Sequence, residues 1–354
     1  MMATKKVAII GSHGLYANYG GWDQLVKNLA ELKSENISFL IFNSADTPKS
    51  IYIPHNVTVK RLIFKASGFQ GMLFDIYSIL YSFLKVDAIL LLGVQGIPLI
   101  PFTNLIKKVK VVANVGGLEW ERPKFGFFSK LYLKMCFNLS FIYSKSVILD
   151  NLYYKKFLPK KNKSDIVVIP YGGTIDNSLN IDRSIINKYS FINDEYFLSI
   201  SRALADNMVD ELCNSFLNTF RKLVIISNFS SSTYGNQILK KYSGVENIVL
   251  INGLYNKPEL DLIRRNCKAY IHTHTLCGTA PSLVEMIIAR RPIISIDIPQ
   301  NRFTLHNEGA YFTTFELLKE FLDVQSNFDE FIPSKGICDL YHWQKIVDDY
   351  EKLF

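Results

Sequence analysis

Short, unbroken apolar runs separated by segments of helical length recur along this 354-residue chain. In the first half the runs Lys6–Ile10, Ile37–Asn43, Val57–Ile63, Ala88–Leu92, Val109–Asn114, Ser146–Leu149 and Ile166–Ile169 read as strands. Strands that are apolar at every position are buried on both faces, which is the pattern of a parallel sheet covered by helices. The intervening segments agree: Gly21–Lys33 carries Trp22, Leu25, Val26, Leu29 and Leu32 at helical spacing, and Gly71–Leu84 is a helix rich in aromatic and aliphatic residues.

After Pro170-Tyr171-Gly172-Gly173 the alternation lapses into a polar stretch and then restarts at Tyr196–Ser201. The expected organisation is two doubly wound α/β domains in tandem. Residues 1–173 form the first, 174–193 a linker region and 194–336 the second, with a C-terminal helix over 337–354 that packs back on the first domain. No repeat of fixed period is visible. Such sheets bind ligands beyond the C-terminal ends of their strands, and a cleft between the two domains is the expected functional site.

Composition narrows the partners. The net charge of +8 divides into +12 over residues 1–170 and −4 over 171–354, so the first half suits a polyanionic partner. The basic residues are dispersed and match no nucleic-acid module, so no nucleic-acid partner is expected. Five cysteines without CxxC spacing argue against a disulfide framework and for a reducing compartment. The most apolar stretch, Ala88–Phe102, is interrupted by glycine, glutamine and proline and is shorter than the roughly 20 residues a spanning helix needs. No targeting signal is read at the N-terminus.

Four strand-end segments carry candidate chemistry. The first, Gly11-Ser12-His13-Gly14 followed by Tyr19-Gly20-Gly21, links a strand to a helix start, where close backbone approach and the helix dipole favour an anionic or sugar ligand. Its spacing is not GxGxxG, which argues against a dinucleotide. The second, Asn114–Arg122, offers Glu119 as an acceptor, Trp120 for stacking or packing, and Arg122 as an anion clamp. The third runs from His272 to Glu285: Gly278, Thr279 and Ala280 precede Pro281 at a helix start suited to phosphate, with Glu285 one turn inside. HxHxxC spacing at His272, His274 and Cys277 permits metal ligation, yet no fourth ligand stands nearby, and no metal is expected. The fourth comprises Arg202, placed to bind phosphate, and the Asn252-Gly253-Leu254-Tyr255 turn, suited to a nucleobase. There is no DxD, GxSxG, P-loop or HExxH motif.

These segments, in this order, resemble those of retaining GT-B glycosyltransferases, in particular the bacterial rhamnosyltransferases of capsule and O-antigen assembly. The loop Gly11–Asp23 is similar to their GSRGxPAxYGGFE, Asn114–Arg122 to NxDGLEWxR, Ile169–Gly172 to IPYG, and His272–Met286 to HGHExGGTNPSLLEAM. The chain departs from the pattern at His13, Gly116, Thr275 and Cys277, where the family carries Arg, Asp, Glu and Gly. The wider class carries a Glu at the position of Cys277.

The resemblance implies a GT-B fold and transfer of a sugar, first L-rhamnose from a dTDP donor, to a polyprenyl-diphosphate-linked saccharide. It assigns catalysis to Glu119, Arg202 and Gly21. Donor binding goes to Gly20, Gly21, Arg202, Leu254, Tyr255, Cys277, Gly278, Thr279, Ala280 and Glu285, and the acceptor side to His13, Tyr19, Trp120 and Arg122. The nucleotide sugar is a co-substrate, and no cofactor or metal is implied. The expected place is cytoplasmic, peripheral on the inner face of the cytoplasmic membrane, beside an anionic lipid surface and other polysaccharide-assembly enzymes. A non-catalytic nucleotide-sugar-binding subunit, or a hexosyltransferase using a UDP- or GDP-sugar, is the alternative.

Overall fold

The computed structural model of the chain describes residues 4–17, 20–121 and 125–354, which fall into two compact units. The first comprises residues 1–171 and 343–354, the second residues 172–342.

The first unit contains β1 (Lys5–Ile10), α1 (Gly21–Leu32), β2 (Ile37–Asn43), β3 (Val57–Arg61), α2 (Gly68–Ser82), β4 (Ala88–Leu92), α3 (Ile100–Asn104), β5 (Lys110–Asn114), α4 (Phe127–Tyr143), β6 (Ser146–Leu149) and β7 (Asp165–Val168). The seven strands form one sheet in the order β3-β2-β1-β4-β5-β6-β7, and every pairing is parallel. All five residues of β4 and all four of β6 are buried, whereas the edge strand β3 has none buried. That difference is why the central strands read as continuous apolar runs.

The second unit contains α5 (Arg183–Lys188), β8 (Tyr196–Ile200), α6 (Val209–Phe216), β9 (Lys222–Ser227), α7 (Thr233–Tyr242), β10 (Ile248–Asn252), α8 (Lys257–Asn266), β11 (Ala269–His272), α9 (Pro281–Ile288), β12 (Ile293–Ile296), α10 (Pro299–Thr304), β13 (Ala310–Phe312), α11 (Phe315–Val324) and α12 (Lys335–Leu340). Its six-stranded parallel sheet has the order β10-β9-β8-β11-β12-β13.

Two segments differ from the sequence reading. Residues 174–193 are not a free linker but part of the second unit, and contain α5, capped by the Asp182 carboxylate accepting from the Ile185 N–H at 2.9 Å. The expected single helix over 337–354 is two, α12 and α13 (Trp343–Glu351). The break occurs where the Tyr341 carbonyl accepts from the Gly173 N–H at 2.8 Å and its hydroxyl donates to Thr304 O at 2.7 Å. After the break α13 enters the core of the first unit, where Ile346, Val347 and Tyr350 pack with Val7, Ile9 and Leu29. The Asn114 amide donates to the Tyr350 hydroxyl at 2.6 Å in that core.

Candidate functional site

In the second sheet the chain lays down β8, β9 and β10 toward one edge, then returns to place β11 on the other side of β8. Loops leaving the adjacent ends of β8 and β11 therefore diverge, and a crevice at such a reversal is where doubly wound sheets take ligands. Arg202 lies just beyond β8, and His272 ends β11.

Hydrogen bonds stitch these two loops together. The Thr273 hydroxyl donates to Asn207 O at 2.6 Å, the Thr275 hydroxyl to Asp206 O at 2.8 Å, and the Thr275 N–H to the same oxygen at 3.3 Å. The Asn207 amide in turn donates to Arg202 O at 2.7 Å. The backbone of Arg202 is thus held while its side chain is exposed, with no partner among the described residues.

The rings of His272 and His274 lie 4.5 Å apart, and the Nε2 of each is buried without a hydrogen-bond partner among the described residues. Burial pushes His272 well below the usual imidazole range, assisted by His274. Burial, and then the Arg202 charge, lowers His274 to about 4. Both imidazoles are neutral at pH 7. One ligand atom from each of His272, His274 and Cys277 lies within 4.8 Å of the others. Zinc bonds of about 2.0–2.3 Å would need such atoms roughly 3.5 Å apart. The nearby guanidinium also opposes a second cation, so this cluster of neutral polar groups beside one positive charge favours an anion.

Gly278, Thr279 and Ala280 follow and are buried, and Ala280 caps α9, whose first residue is Pro281. Glu285, on the same helix, accepts from the Arg264 guanidinium. Arg264 is 3% exposed and also donates to the fully buried Asp261 at 2.6 Å. Asp261 further accepts from Lys257 at 2.6 Å and from the Asp176 N–H at 2.8 Å. Glu285 is therefore the outer end of a buried ion network rather than an unattached carboxylate. Leu254 and Tyr255 follow β10, two strands from β8 and so roughly 10 Å from Arg202 at usual strand spacing. Tyr255 is exposed, above Gly253, whose positive φ of 73° lets the turn pass beneath the ring.

The first sheet reverses between β1 and β4. Beyond β1, the buried Asp23 accepts from the His13 N–H at 3.0 Å and the Gly20 N–H at 3.2 Å, closing the loop onto the start of α1. The Tyr171 hydroxyl donates to Gly21 O at 2.7 Å. The Trp22 indole lies against Gly93 and Gly116, whose φ values of 106° and 60° put both in conformations side chains rarely adopt. Beyond β5, Glu119 and Trp120 occupy a single 3₁₀ turn. Trp120 packs edge-on against Phe137 with ring centroids 4.5 Å apart, so much of its indole serves the core. Tyr19 and Arg122 lie outside the described residues.

Sequence reasoning missed Asp23, Asn207 and Arg264 as site supports. Asp23 had a signal, an acidic residue three positions after Gly20, which is the spacing of a reciprocal helix cap. Asn207 and Arg264 act through contacts distant in sequence and had none.

A family model described as a domain of unknown function (DUF1972) matches residues 4–174. No curated protein sequence matches. Among solved structures, sucrose-phosphate synthase from Thermosynechococcus elongatus superposes with a TM-score of 0.78 at 13% identity, covering 99% of this chain and 98% of that one. The chain has the GT-B fold. HepE from Anabaena, solved with UDP and glucose, shares that fold with a TM-score of 0.71 at 13% identity, covering 99% and 98%. Trehalose-6-phosphate synthase OtsA gives 0.72 at 10% identity, with 99% of each chain covered.

Proposed function

We propose that this GT-B chain is a retaining glycosyltransferase that moves a hexose from a nucleotide diphosphate donor to a lipid-linked saccharide at the inner face of the cytoplasmic membrane. The observation that carries the donor half is the stitched pair of loops at the β8/β11 reversal. It sets an unpaired guanidinium, two neutral imidazoles and the start of α9 around one anion-favouring place. In this reading Arg202 and the Gly278–Thr279 turn hold the diphosphate, Glu285 holds the ribose in the orientation Arg264 imposes, and Leu254 with Tyr255 meets the base. Gly20, Gly21 and Glu119 serve the transferred sugar and its acceptor. Stabilising the departing diphosphate is the main catalytic contribution, and the Arg202 charge supplies it without a metal.

L-rhamnose from dTDP-rhamnose is the first donor, on the resemblance of the four motifs. A UDP-hexose is the second reading, favoured by the solved relatives that hold UDP and glucose. A thermal-shift panel of dTDP-, UDP- and GDP-sugars tests both, because a ligand that binds only the folded state raises Tm by mass action. The reading expects one nucleotide class to stabilise the protein and to lose its sugar to an acceptor. Stabilisation without any turnover would mark a binding subunit, and no shift from any donor would remove the transferase reading.

A further inference from the structure

The connections β3→β4, β4→β5 and β5→β6 all step the same way across the first sheet. Right-handed crossovers therefore put α2, α3 and α4 side by side on one face. Packing agrees: Phe74, Ile79 and Ile100 meet Ala8, Ile89 and Val111, while Cys136 and Phe137 meet Val147 and Leu149. The oppositely directed Ile9, Leu90, Val112 and Ile148 meet α1 and α13.

The outside of that three-helix layer is not a polar surface. Phe69, Phe102, Leu105, Ile106, Phe127 and Phe128 are each between 66% and 84% exposed, and the solvent-side residues of α2, among them Leu73, Tyr77 and Leu80, continue the patch. Single exposed apolar residues are ordinary, but a contiguous set drawn from three neighbouring elements marks an interaction surface. Its charge is one-sided. Across residues 63–85, 96–108 and 127–143 there are six lysines (Lys65, Lys85, Lys107, Lys108, Lys130 and Lys134) and one acidic residue, Asp75. Lys85 stands over the Tyr81 ring at 3.3 Å, a cation beside an aromatic body of the kind that suits a headgroup boundary.

We infer that the outer face of α2, α3 and α4 docks on an anionic lipid bilayer, with the aromatic and aliphatic side chains entering the headgroup boundary and the lysines meeting lipid phosphates. Apolar area and lysine charge act together in such binding, and neither spans the membrane. No helix among the described residues is long and apolar enough to cross one. Docking requires no sugar transfer, so it stands apart from the donor chemistry.

The test is co-sedimentation of the full chain with phosphatidylcholine vesicles, with and without phosphatidylglycerol. Three double variants accompany it: Phe127→Ser/Phe128→Ser, Leu105→Ser/Ile106→Ser and Lys108→Glu/Lys134→Glu. The expected result is binding to the anionic vesicles alone, weakened by salt, and a fall of at least about tenfold in each variant. The variants should keep the wild-type Tm and the wild-type response to any donor nucleotide that binds, which separates failure of docking from failure of the donor site. Equal binding to neutral vesicles, no binding, or unchanged binding by the variants would overturn the inference. So would a wild-type dimer that the phenylalanine substitutions dissociate, since a second copy would then cover the face.

Discussion

The Thr273 hydroxyl and the Asn207 carbonyl oxygen are 2.6 Å apart, and this contact joins the loop after β11 to the loop after β8. Thr273 is 1% exposed, so its partner oxygen has no access to water. Thr273→Val keeps the shape and removes the donor, leaving a buried carbonyl unpaired at a cost of about 1–3 kcal/mol. The expected outcome is lower stability in urea together with weaker nucleotide-sugar binding by calorimetry. Loss of stability with unchanged affinity would mean that the loops hold their positions without the stitch.

Arg202 tests the chemistry rather than the scaffold. Its side chain has no partner among the described residues, so Arg202→Ala should leave the Tm of the unliganded protein nearly unchanged. Transfer should fall by about 10²–10³, the scale of one lost charge-stabilising group, with Arg202→Lys recovering part of it. Steady-state kinetics with the donor found by thermal shift provides the check.

Arg264 reports on how Glu285 is held. Arg264→Leu leaves the fully buried Asp261 and the Glu285 carboxylate without the guanidinium that bridges them. Breaking a buried pair on one side costs about 3–5 kcal/mol, and the exposed Lys257 that remains on Asp261 moderates it. Denaturant unfolding should show a loss of that order, whereas Glu285→Gln should cost much less stability and mainly weaken donor binding.

Asp75 on α2 is surrounded by protein, close to Gly96 and within electrostatic reach of Tyr132. Burial pushes its carboxyl up to about 7, from 3.8 in a free chain. The folded state therefore holds the proton more tightly than the unfolded state. Its contribution to stability is complete below about pH 4, declines as pH rises through 7 and is flat above. Asp75→Asn should raise Tm relative to wild type increasingly from pH 5 to pH 8. A Tm difference independent of pH over that range would refute this account.

Much of the fold was legible because parallel strands buried on both faces leave unbroken apolar runs, as at Ala88–Leu92 and Ser146–Leu149. Strand ends were legible for the same reason, and they located Arg202, His272 and Gly278. What stayed hidden depends on contacts between residues far apart in the chain. Nothing near Tyr341 announces a break in the helix, because the group that takes its carbonyl is Gly173. Asp182 looked like one more polar residue in a linker, yet it starts α5. Glu285 was legible as a carboxylate near a helix start, but its tie to Arg264 needed the tertiary structure. The helix Gly71–Leu84 was legible as apolar, and only the exposure of Phe69, Leu73 and Leu80 distinguished its two sides.

Because α13 completes the first unit's core, that core is built from both ends of the polypeptide. Ile346, Val347 and Tyr350 are 0–1% exposed against strands made some 340 residues earlier. During synthesis the second unit has all of its residues before the first does. The nascent first unit must wait on the ribosome with an uncovered apolar face and an unpaired Asn114, exposed to chaperones or to aggregation, until residues 343–354 emerge.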